Sequence, residues 1–250
     1  MSFHYKAIVS SDWSECLAPC GPFDFISYNF PKLEPHLTQV FRQYTGNQIS
    51  LGLASEQIRD MLPGPVTEDQ MDAYLDASFV TYAGVANLIE WCSSNHVLFM
   101  INSTGMIGYF QRIFAKGLLP EIPIISAHSM IRYPKKPSDP HNIYELFETL
   151  DKSKNTSAVV GSLGISSEKI ILMGDSGGDG PHFEWGAGIG AFLIGSMTKA
   201  SLGSFCRSKN IAINLKFGQD YSSGIEPNLQ AELLYNFMDL VPVISEIANR

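Results

Sequence analysis

Short apolar runs alternate with amphipathic segments along most of the chain. The apolar runs predict buried strands at residues 5–9, 97–101, 122–125, 170–173, 191–194 and 211–217. Helical patterns lie between or after these runs, at 82–94, 105–116, 141–151, 179–187 and from about residue 227 onwards. Continuous apolar runs separated by helices are typical of strands that are buried on both faces of a parallel sheet. The pattern therefore predicts an α/β fold with a doubly wound parallel sheet.

Residues 17–79 interrupt this alternation. They open with a Pro-Cys-Gly-Pro stretch and then show three helical patterns, at 33–44, 55–62 and 67–78. No apolar strand separates these helices, so we expect a small helical insert whose aromatic residues form its own core (Tyr28, Phe30, Phe41 and Tyr44). The remaining residues, 1–16 and 80–250, would form the α/β core. Ligands of open parallel sheets bind at the carboxyl ends of the strands, so an insert that leaves the sheet there would cover the site.

Polar side chains follow two of the predicted strands. Asp12 and Ser14 come after the first strand, and Ser103, Thr104 and Gly105 come after the second strand at the start of a helix. A single aspartate or serine in such a place is commonly a helix cap. Hydroxyl groups and backbone N–H groups at a helix start also form an anion site, so the sequence alone leaves both interpretations open.

Two further polar stretches complete the set. A basic turn contains Lys135 and Lys136, and a glycine-rich turn contains Asp175 and Asp179. Two carboxylates on a turn after an apolar strand suit a hard cation that prefers oxygen ligands. A carboxylate nucleophile, a divalent cation, a hydroxyl group and a lysine are together what phosphoryl transfer requires.

These four stretches resemble the motifs of the haloacid dehalogenase (HAD)-like phosphatases, over residues 5–16 and 80–200. Asp12 matches the opening motif, and Gly174 to Asp179 matches the acidic Gly-Asp-Ser-x-x-Asp motif in full. The residues around Ser103 are similar to the phosphoserine-phosphatase-type branch. The resemblance implies a Rossmann-like core with a small helical cap and a phosphatase that hydrolyses a small phosphorylated metabolite.

The resemblance also implies roles for individual residues. Asp12 would attack phosphorus and become an aspartyl-phosphate. The cofactor would be Mg²⁺, bound by Asp12, the backbone carbonyl of Ser14 and Asp175. Asp179 would orient the water ligands of the metal or the side chain of Lys136.

The phosphoryl oxygens would be bound by residues of the second and third motifs. These are Ser103 or Thr104, the neighbouring Gly105, and Lys136, with Lys135 as the alternative lysine. The sequence does not decide between the two hydroxyl groups or between the two lysines.

One position departs from the family pattern. These phosphatases usually carry a second aspartate two residues after the nucleophile, as general acid and base, and here that residue is Ser14. General acid–base catalysis is worth roughly 10²–10⁴-fold, so one alternative is a weak or inactive phosphate-binding pseudoenzyme. In a different alignment Ser10 takes the nucleophile position and Asp12 that of the second acid.

Two other resemblances are weaker. Asp12-Trp13 with a non-acidic following residue resembles phosphonoacetaldehyde hydrolase, which needs a lysine in the cap, and the only lysine of residues 17–79 is Lys32. The Gly-Asp-Ser-Gly-Gly string resembles trypsin-like proteases, with a triad of His128, Ser176 and Asp139 or Asp151. Those proteases are antiparallel barrels, which the alternation of strands and helices contradicts.

Composition and charge limit the partners. The chain has 250 residues, 45% hydrophobic and 17% charged, and a net charge of −8. A net acidic chain is a poor partner for nucleic acid or an anionic membrane. No apolar run approaches the roughly 20 residues of a membrane span, no secretory signal is visible, and the four cysteines form no CxxC pair. We therefore expect a cytoplasmic protein with reduced thiols; the oligomeric state is not predicted.

Overall fold

Seven parallel strands form the centre of the molecule, for which the computed structural model describes residues 4–45 and 48–250. The strand order is β4-β3-β2-β1-β5-β6-β7. The strands are β1 (Ala7–Ser11), β2 (Val97–Met106), β3 (Ile124–His128), β4 (Asn142–Glu145), β5 (Ile170–Gly174), β6 (Phe192–Thr198) and β7 (Leu215–Asp220). Helices cover both faces of the sheet, which confirms the predicted doubly wound α/β fold.

The two central strands are those with the clearest apolar runs. Every residue of β1 and of β5 is buried. Alternate side chains of β1 point to opposite faces: Ala7 and Val9 belong to one hydrophobic cluster and Ile8 to the other. Since β1 and β5 are neighbours, with Ser11 paired to Met173, the residues that follow them emerge side by side at one edge of the sheet.

Seven helices follow β1 and the helical segment described below. They are α5 (Val85–Ser94), α6 (Ile107–Ala115), α7 (Asp151–Leu163), α8 (Gly180–Ile189), α9 (Ala200–Ser208), α10 (Leu229–Glu232) and α11 (Val241–Ala248). The helix α8 begins directly after the predicted acidic turn, and α7 precedes β5. Both helices therefore start near the edge of the sheet at which β1 and β5 end.

Four α-helices lie between β1 and α5 in the described residues of the segment that we call the insert (residues 17–79). They are α1 (Asp24–Asn29), α2 (Glu34–Thr45), α3 (Leu51–Met61) and α4 (Glu68–Ser78). The predicted cap of α4 is present, because Thr67 and Gln70 form a reciprocal capping box. Arg112 of α6 binds this helix, with Nη1 2.6 Å from Glu68 Oε2 and Nε 2.8 Å from Asp72 Oδ1. These ion pairs hold the insert against the sheet domain.

The sequence-based prediction of a helix at 141–151 was wrong. Residues 142–145 form β4, and the helix α7 begins only at Asp151. The strand β4 is a short, partly exposed edge strand, so it has no continuous apolar run. The buried face of α7 includes Lys152, Ser153 and Thr156, and polar residues on a buried face remove the periodicity by which a helix is usually predicted.

The four cysteines are all buried and unpaired. Cys16 and Cys20 belong to the main hydrophobic cluster, in agreement with a structural role. Burial raises the pKa of both thiols, that of Cys20 to about 12, so they are poor nucleophiles. Within residues 4–45 and 48–250, none of the helices has the length and apolar character needed to cross a membrane.

Candidate active site

A cavity of about 350 Å³ lies between the insert and the carboxyl edge of the sheet. From the core it is lined mainly by Asp12, Ser14, Glu15, Thr104, Lys152, Asp175, Ser176 and Lys199. From the insert, Phe41, Arg42 and Tyr44 of α2 face the same space. Phe41 and Tyr44 were expected to serve only the core of the insert, and the structure shows that they also form the wall of this cavity.

Three carboxylates lie close together at this site, and Asp12 and Asp175 of the three line the cavity. One oxygen from each of Asp12, Asp175 and Asp179 lies within 4.8 Å of the others, and the three residues are 7%, 1% and 1% exposed. Burial raises the pKa of Asp12, and it raises that of Asp175 well above the usual value. Such a cluster is costly unless a cation compensates it.

Asp175 has one oxygen that suits a metal ion. Its Oδ2 lies 3.3 Å from Lys199 Nζ, whereas its buried Oδ1 has no hydrogen-bond partner among the residues that the structure describes. Mg²⁺ prefers carboxylate oxygens and usually keeps several water ligands. The residues therefore fit the implied cofactor, with Asp12 and Asp175 as the carboxylates that would hold it.

Asp179 organises the glycine-rich turn. Its Oδ2 accepts hydrogen bonds from the backbone N–H groups of Asp175 (3.0 Å) and Ser176 (3.2 Å). A Cβ atom on Gly174 would lie 2.5 Å from Asp179 Cγ, so only glycine allows the carboxylate to fold back under the turn. Its other oxygen, Oδ1, accepts a hydrogen bond of 2.6 Å from Lys152. The prediction that Asp179 contacts Lys136 does not agree with the structure, because the lysine that it contacts is Lys152.

The lysine that contacts Asp12 and Asp179 is Lys152, the second residue of α7. Its Nζ lies 3.0 Å from Asp12 Oδ1 and 2.6 Å from Asp179 Oδ1, and its side chain is 1% exposed. The contact with Asp12 is an ion pair rather than an aligned hydrogen bond. Burial lowers the pKa of Lys152, but the two carboxylates outweigh it and hold the pKa above its ordinary value. The ammonium group is therefore charged at neutral pH.

The prediction that Lys136 serves this site does not agree with the structure. Its ammonium group pairs with Glu68 at the start of α4, and it does not line the cavity. Lys135 lines a separate depression with His141. The Lys-Pro pattern misled the prediction because Lys136 pairs with the insert, and α7 supplies the lysine beside Asp12 instead.

The structure also separates the two candidate hydroxyl groups. Ser103 is fully buried, and its Oγ accepts a hydrogen bond of 3.2 Å from the N–H of Gly105. Neither Ser103 nor Gly105 lines the cavity, whereas Thr104 does. The geometry therefore favours Thr104 as the hydroxyl that faces a bound phosphoryl group.

The position of the missing second aspartate lies at the cavity. Ser14 lines it, and the next residue, Glu15, does so with a left-handed backbone (φ 56°). The carboxylate of Glu15 pairs with Lys199, which also contacts Asp175. A chain of alternating charges thus connects the segment after β1 with the acidic turn.

A buried polar network excludes Ser10 from the nucleophile position. Ser10 Oγ lies 2.9 Å from Thr156 Oγ1, and Ser10 does not line the cavity. Asn102 Nδ2 donates to Ser10 Oγ (3.2 Å), Thr156 Oγ1 (2.9 Å) and the backbone carbonyl of Lys152 (2.9 Å). The network instead fixes the first turn of α7, and with it Lys152, to the central strands.

The structure does not support the phosphonoacetaldehyde hydrolase and trypsin-like interpretations, because the residues that they require do not line the cavity together. Lys32 is exposed and does not line the cavity, so the insert offers no lysine to a phosphonoacetaldehyde-type reaction. His128 Nδ1 accepts a hydrogen bond from the N–H of Met130, and His128 does not share the cavity with Ser176. The parallel sheet contradicts a trypsin-like barrel.

Comparison with known proteins gives the fold its name. No protein-family model and no curated protein matches the sequence. Solved structures match it over nearly its whole length: a phospho-aspartyl intermediate analogue of phosphoserine phosphatase has a TM-score of 0.64 at 12% identity, covering 96% of this chain and 99% of that chain. A HAD family hydrolase from Salmonella enterica serovar Typhi has a TM-score of 0.68 at 16% identity, covering 98% of this chain and 73% of that one.

A third similar structure is that of cytosolic 5′-nucleotidase IIIB bound to cytidine. Its TM-score is 0.58 at 11% identity, and the match covers 98% of this chain and 86% of that chain. The three structures share the α/β arrangement that the resemblance of the sequence to the HAD-like phosphatases implied. The chain therefore has the HAD-like phosphatase fold.

Proposed function

We propose that this chain is a Mg²⁺-dependent phosphatase that hydrolyses a small phosphorylated metabolite through an aspartyl-phosphate on Asp12. The observation that carries the proposal is the placement of the buried Asp12 carboxylate, 3.0 Å from the Lys152 ammonium group and beside Asp175, in one cavity at the sheet edge. A nucleophile, a cation and a metal-type carboxylate are the parts that phosphoryl transfer uses.

The proposed reaction has two steps. A carboxylate oxygen of Asp12 forms a bond to phosphorus while the bond to the leaving oxygen breaks, and water then attacks the aspartyl-phosphate to release phosphate and regenerate Asp12. Lys152 and Thr104 stabilise the charge on the phosphoryl oxygens. When bound by Asp12, Asp175 and the Ser14 carbonyl, Mg²⁺ would supply further neutralisation of that charge.

The insert (residues 17–79) acts in this proposal as a cap, and residues 1–16 and 80–250 as the catalytic core. From the insert, the side chains of Phe41, Arg42 and Tyr44 line the cavity that Asp12 and Asp175 line from the core. A cavity of about 350 Å³ admits a small molecule and little else. Closure would exclude bulk water while the phosphoryl group is transferred.

The metal requirement gives a direct test. Purified protein should hydrolyse p-nitrophenyl phosphate with Mg²⁺ and lose this activity in a chelator. Asp175→Asn should weaken Mg²⁺ binding, measured by isothermal titration calorimetry, by at least about tenfold, because a neutral amide is a much poorer ligand than a carboxylate. A screen of phosphorylated metabolites under the same conditions would then identify the substrate.

The control for this test is Asp220→Asn, which removes a carboxylate from an exposed ion pair with Lys216 on β7. It should bind Mg²⁺ as the wild type does. Full activity in the chelator, or unchanged Mg²⁺ binding by Asp175→Asn, would contradict the proposed metal site.

Ser14 gives a second candidate, a phosphatase that is slow on substrates with poor leaving groups. No carboxylate occupies this position of the cavity to protonate a leaving alkoxide. Ser14→Asp should therefore raise kcat for alkyl phosphates by about tenfold or more, and should change p-nitrophenyl phosphate hydrolysis little, since nitrophenolate leaves without a proton.

The control variant for this prediction is Ser14→Asn, whose side chain has the size and shape of aspartate but no acidic group. A gain with aspartate alone identifies acid catalysis as the missing function. An equal gain with both variants, or none with aspartate, would show that the serine is not what limits the rate.

A further inference from the structure

Lys199 is a lysine of the cavity to which the proposed reaction gives no task. It lies between β6 and α9, and its side chain, 22% exposed, lines the cavity together with Asp175. Its Nζ lies 3.3 Å from Asp175 Oδ2 and also pairs with the carboxylate of Glu15. The lysine therefore contacts one of the two oxygens of a carboxylate that we expect to hold a metal ion.

The polar groups of Asp175 have partners within the protein, with one exception. Its backbone N–H donates to Asp179 Oδ2 (3.0 Å), and its backbone carbonyl accepts a hydrogen bond of 2.8 Å from the N–H of Lys199. Its Oδ2 lies against the Lys199 ammonium group. Only the buried Oδ1 has no hydrogen-bond partner in the described part of the chain. As long as Lys199 keeps Oδ2, Asp175 can offer a metal ion Oδ1 alone.

Lys199 is fixed beside the acidic turn by its backbone as well as by its charge. Its N–H is bonded to the Asp175 carbonyl, and Ser201, two residues further on, accepts a hydrogen bond of 3.0 Å from the N–H of Gly177. Its second anionic partner, Glu15, has a left-handed backbone (φ 56°), which residues other than glycine rarely adopt. The contact between the lysine and Oδ2 is therefore part of the folded site.

The number of oxygens that a carboxylate offers affects which cation it binds. Mg²⁺ requires near-ideal octahedral geometry, whereas Ca²⁺ accepts six to eight oxygen ligands and often binds both oxygens of one carboxylate. Two oxygens of the same carboxylate lie too close together to occupy two corners of an octahedron around an ion as small as Mg²⁺. A carboxylate that is restricted to one oxygen therefore still suits Mg²⁺ but denies Ca²⁺ a ligand.

We propose that Lys199 is a positioning residue that restricts Asp175 to one oxygen and thereby selects Mg²⁺ over Ca²⁺ at the metal site. The inference rests on the proposed function, since it concerns the cation of that reaction. Lys199 acts here through Asp175, on the choice of metal ion and not on the chemical step.

Replacement of Lys199 by methionine frees Oδ2 and tests the selection. The dissociation constants of Mg²⁺ and of Ca²⁺ are measured separately for the wild type and for Lys199→Met by isothermal titration calorimetry. Loss of a positive charge should strengthen the binding of both ions, so the ratio of the two constants is the informative quantity. This ratio should shift towards Ca²⁺ by at least about tenfold, because only Ca²⁺ can use the second oxygen. An equal gain for both ions would reduce Lys199 to a charge effect and overturn the proposal.

Two variants separate the ion pair with Oδ2 from the loss of a lysine as such. Lys199→Arg keeps a cation that pairs with carboxylates, so its ratio should stay within about threefold of the wild type. Lys209→Met removes an exposed lysine that pairs with Glu184, and it should leave both constants within about twofold of the wild type. A shift towards Ca²⁺ in Lys199→Arg as large as that in Lys199→Met would contradict the role of the ion pair. Thermal melting of each variant checks that it is folded.

A crystal structure of the wild type with Ca²⁺ tests the inference without any variant. The ion should lie about 2.3–2.6 Å from Asp175 Oδ1, while Oδ2 still contacts Lys199. In Lys199→Met both oxygens should lie within this distance of the ion. Coordination of Ca²⁺ by both oxygens of Asp175 in the wild type would overturn the proposal.

These results distinguish failure of the inference from failure of the proposed function. Weakened Mg²⁺ binding in Asp175→Asn together with an unchanged ratio in Lys199→Met would contradict only the selection by Lys199. A shifted ratio in a protein that hydrolyses no phosphate ester would support the selection and contradict only the proposed reaction. A wild type that binds neither ion would contradict both.

Discussion

Replacement of Asp12 by asparagine should lower kcat for p-nitrophenyl phosphate by at least about 10⁴-fold, the scale expected when a covalent nucleophile is lost. Asparagine keeps the size and shape of the side chain, but its neutral amide cannot attack phosphorus. The reaction would retain only what Lys152 and Thr104 provide by binding the phosphoryl oxygens. Asp179 cannot take over, since it is held by two backbone N–H groups and by Lys152.

Trapping of the intermediate makes this prediction specific. Acid quenching of the wild type during turnover of a ³²P-labelled substrate should yield a labelled protein that loses its label in alkali, as acyl phosphates do. Asp12→Asn should yield none, and Asp220→Asn should label as the wild type does. Labelling of Asp12→Asn, or turnover within tenfold of the wild type, would show that Asp12 is not the nucleophile.

Stability distinguishes loss of chemistry from loss of folding. The pKa of Asp12 is raised in the folded protein, mainly by burial. A raised carboxyl pKa means that the folded state binds a proton more tightly than the unfolded chain, so ionisation of Asp12 at neutral pH destabilises the fold. Asp12→Asn removes that cost, and we expect its melting temperature without metal to equal or exceed that of the wild type.

The part of the site that lies on the central strands could be predicted from the sequence. The strands β1 and β5 have clear apolar runs because both of their faces are buried. The residues that end them, Asp12 and Asp175, are therefore visible as polar positions directly after each run. Neighbouring parallel strands place such residues together, so the acidic cluster follows from sequence spacing and the resemblance alone.

Lys152 could not be predicted as the lysine of the site because α7 lacks the apolar periodicity by which a helix is recognised in a sequence. Lys152 faces the core from the first turn of α7, and its charge is compensated by Asp12 and Asp179, which lie far away in sequence. Hydrophobic periodicity reports which positions avoid water, and it cannot report a buried ion pair whose partners come from other elements.

Two other features could not be predicted for a different reason. They are which of Ser103 and Thr104 faces the cavity, and the contact of the insert with the cavity. The strand β2 extends to Met106, with a register shift between Asn102 and Met106. An irregular strand changes which of two consecutive side chains faces the site, and here that side chain is Thr104 rather than Ser103. For Tyr44, an aromatic residue on a helix predicts burial, but the sequence does not say whether the insert or the α/β core provides the contact.

The second large effect is expected for Lys152→Met, which should lower kcat by about 10³-fold. Methionine keeps the apolar stem of the side chain but removes the charge that stabilises the phosphoryl oxygens. The loss of this cation should also raise the pKa of Asp12 further, because Lys152 now lowers it. The acid limb of the kcat/KM profile should therefore move to higher pH, since a higher pH is then needed to ionise the nucleophile.

Two other lysines decide whether this effect is specific. Lys154→Met removes an exposed lysine of the same helix, and Lys136→Met tests the lysine that the Lys-Pro pattern indicated. Both should keep kcat within about threefold of the wild type. A large loss in Lys136→Met with little in Lys152→Met would reverse the assignment made from the structure.

Stability adds an independent measure of the same ion pairs. Without Lys152 the buried carboxylates of Asp12 and Asp179 have lost their common cation, and breaking a buried ion pair by removing one partner costs about 3 kcal/mol or more. Urea unfolding of Lys152→Met in the absence of metal should show a loss of this size. Addition of Mg²⁺ should restore part of it, because a cation bound at Asp12 and Asp175 compensates the same cluster. Equal stability of the wild type and Lys152→Met would contradict the view that this lysine and the metal share the neutralisation of one acidic site.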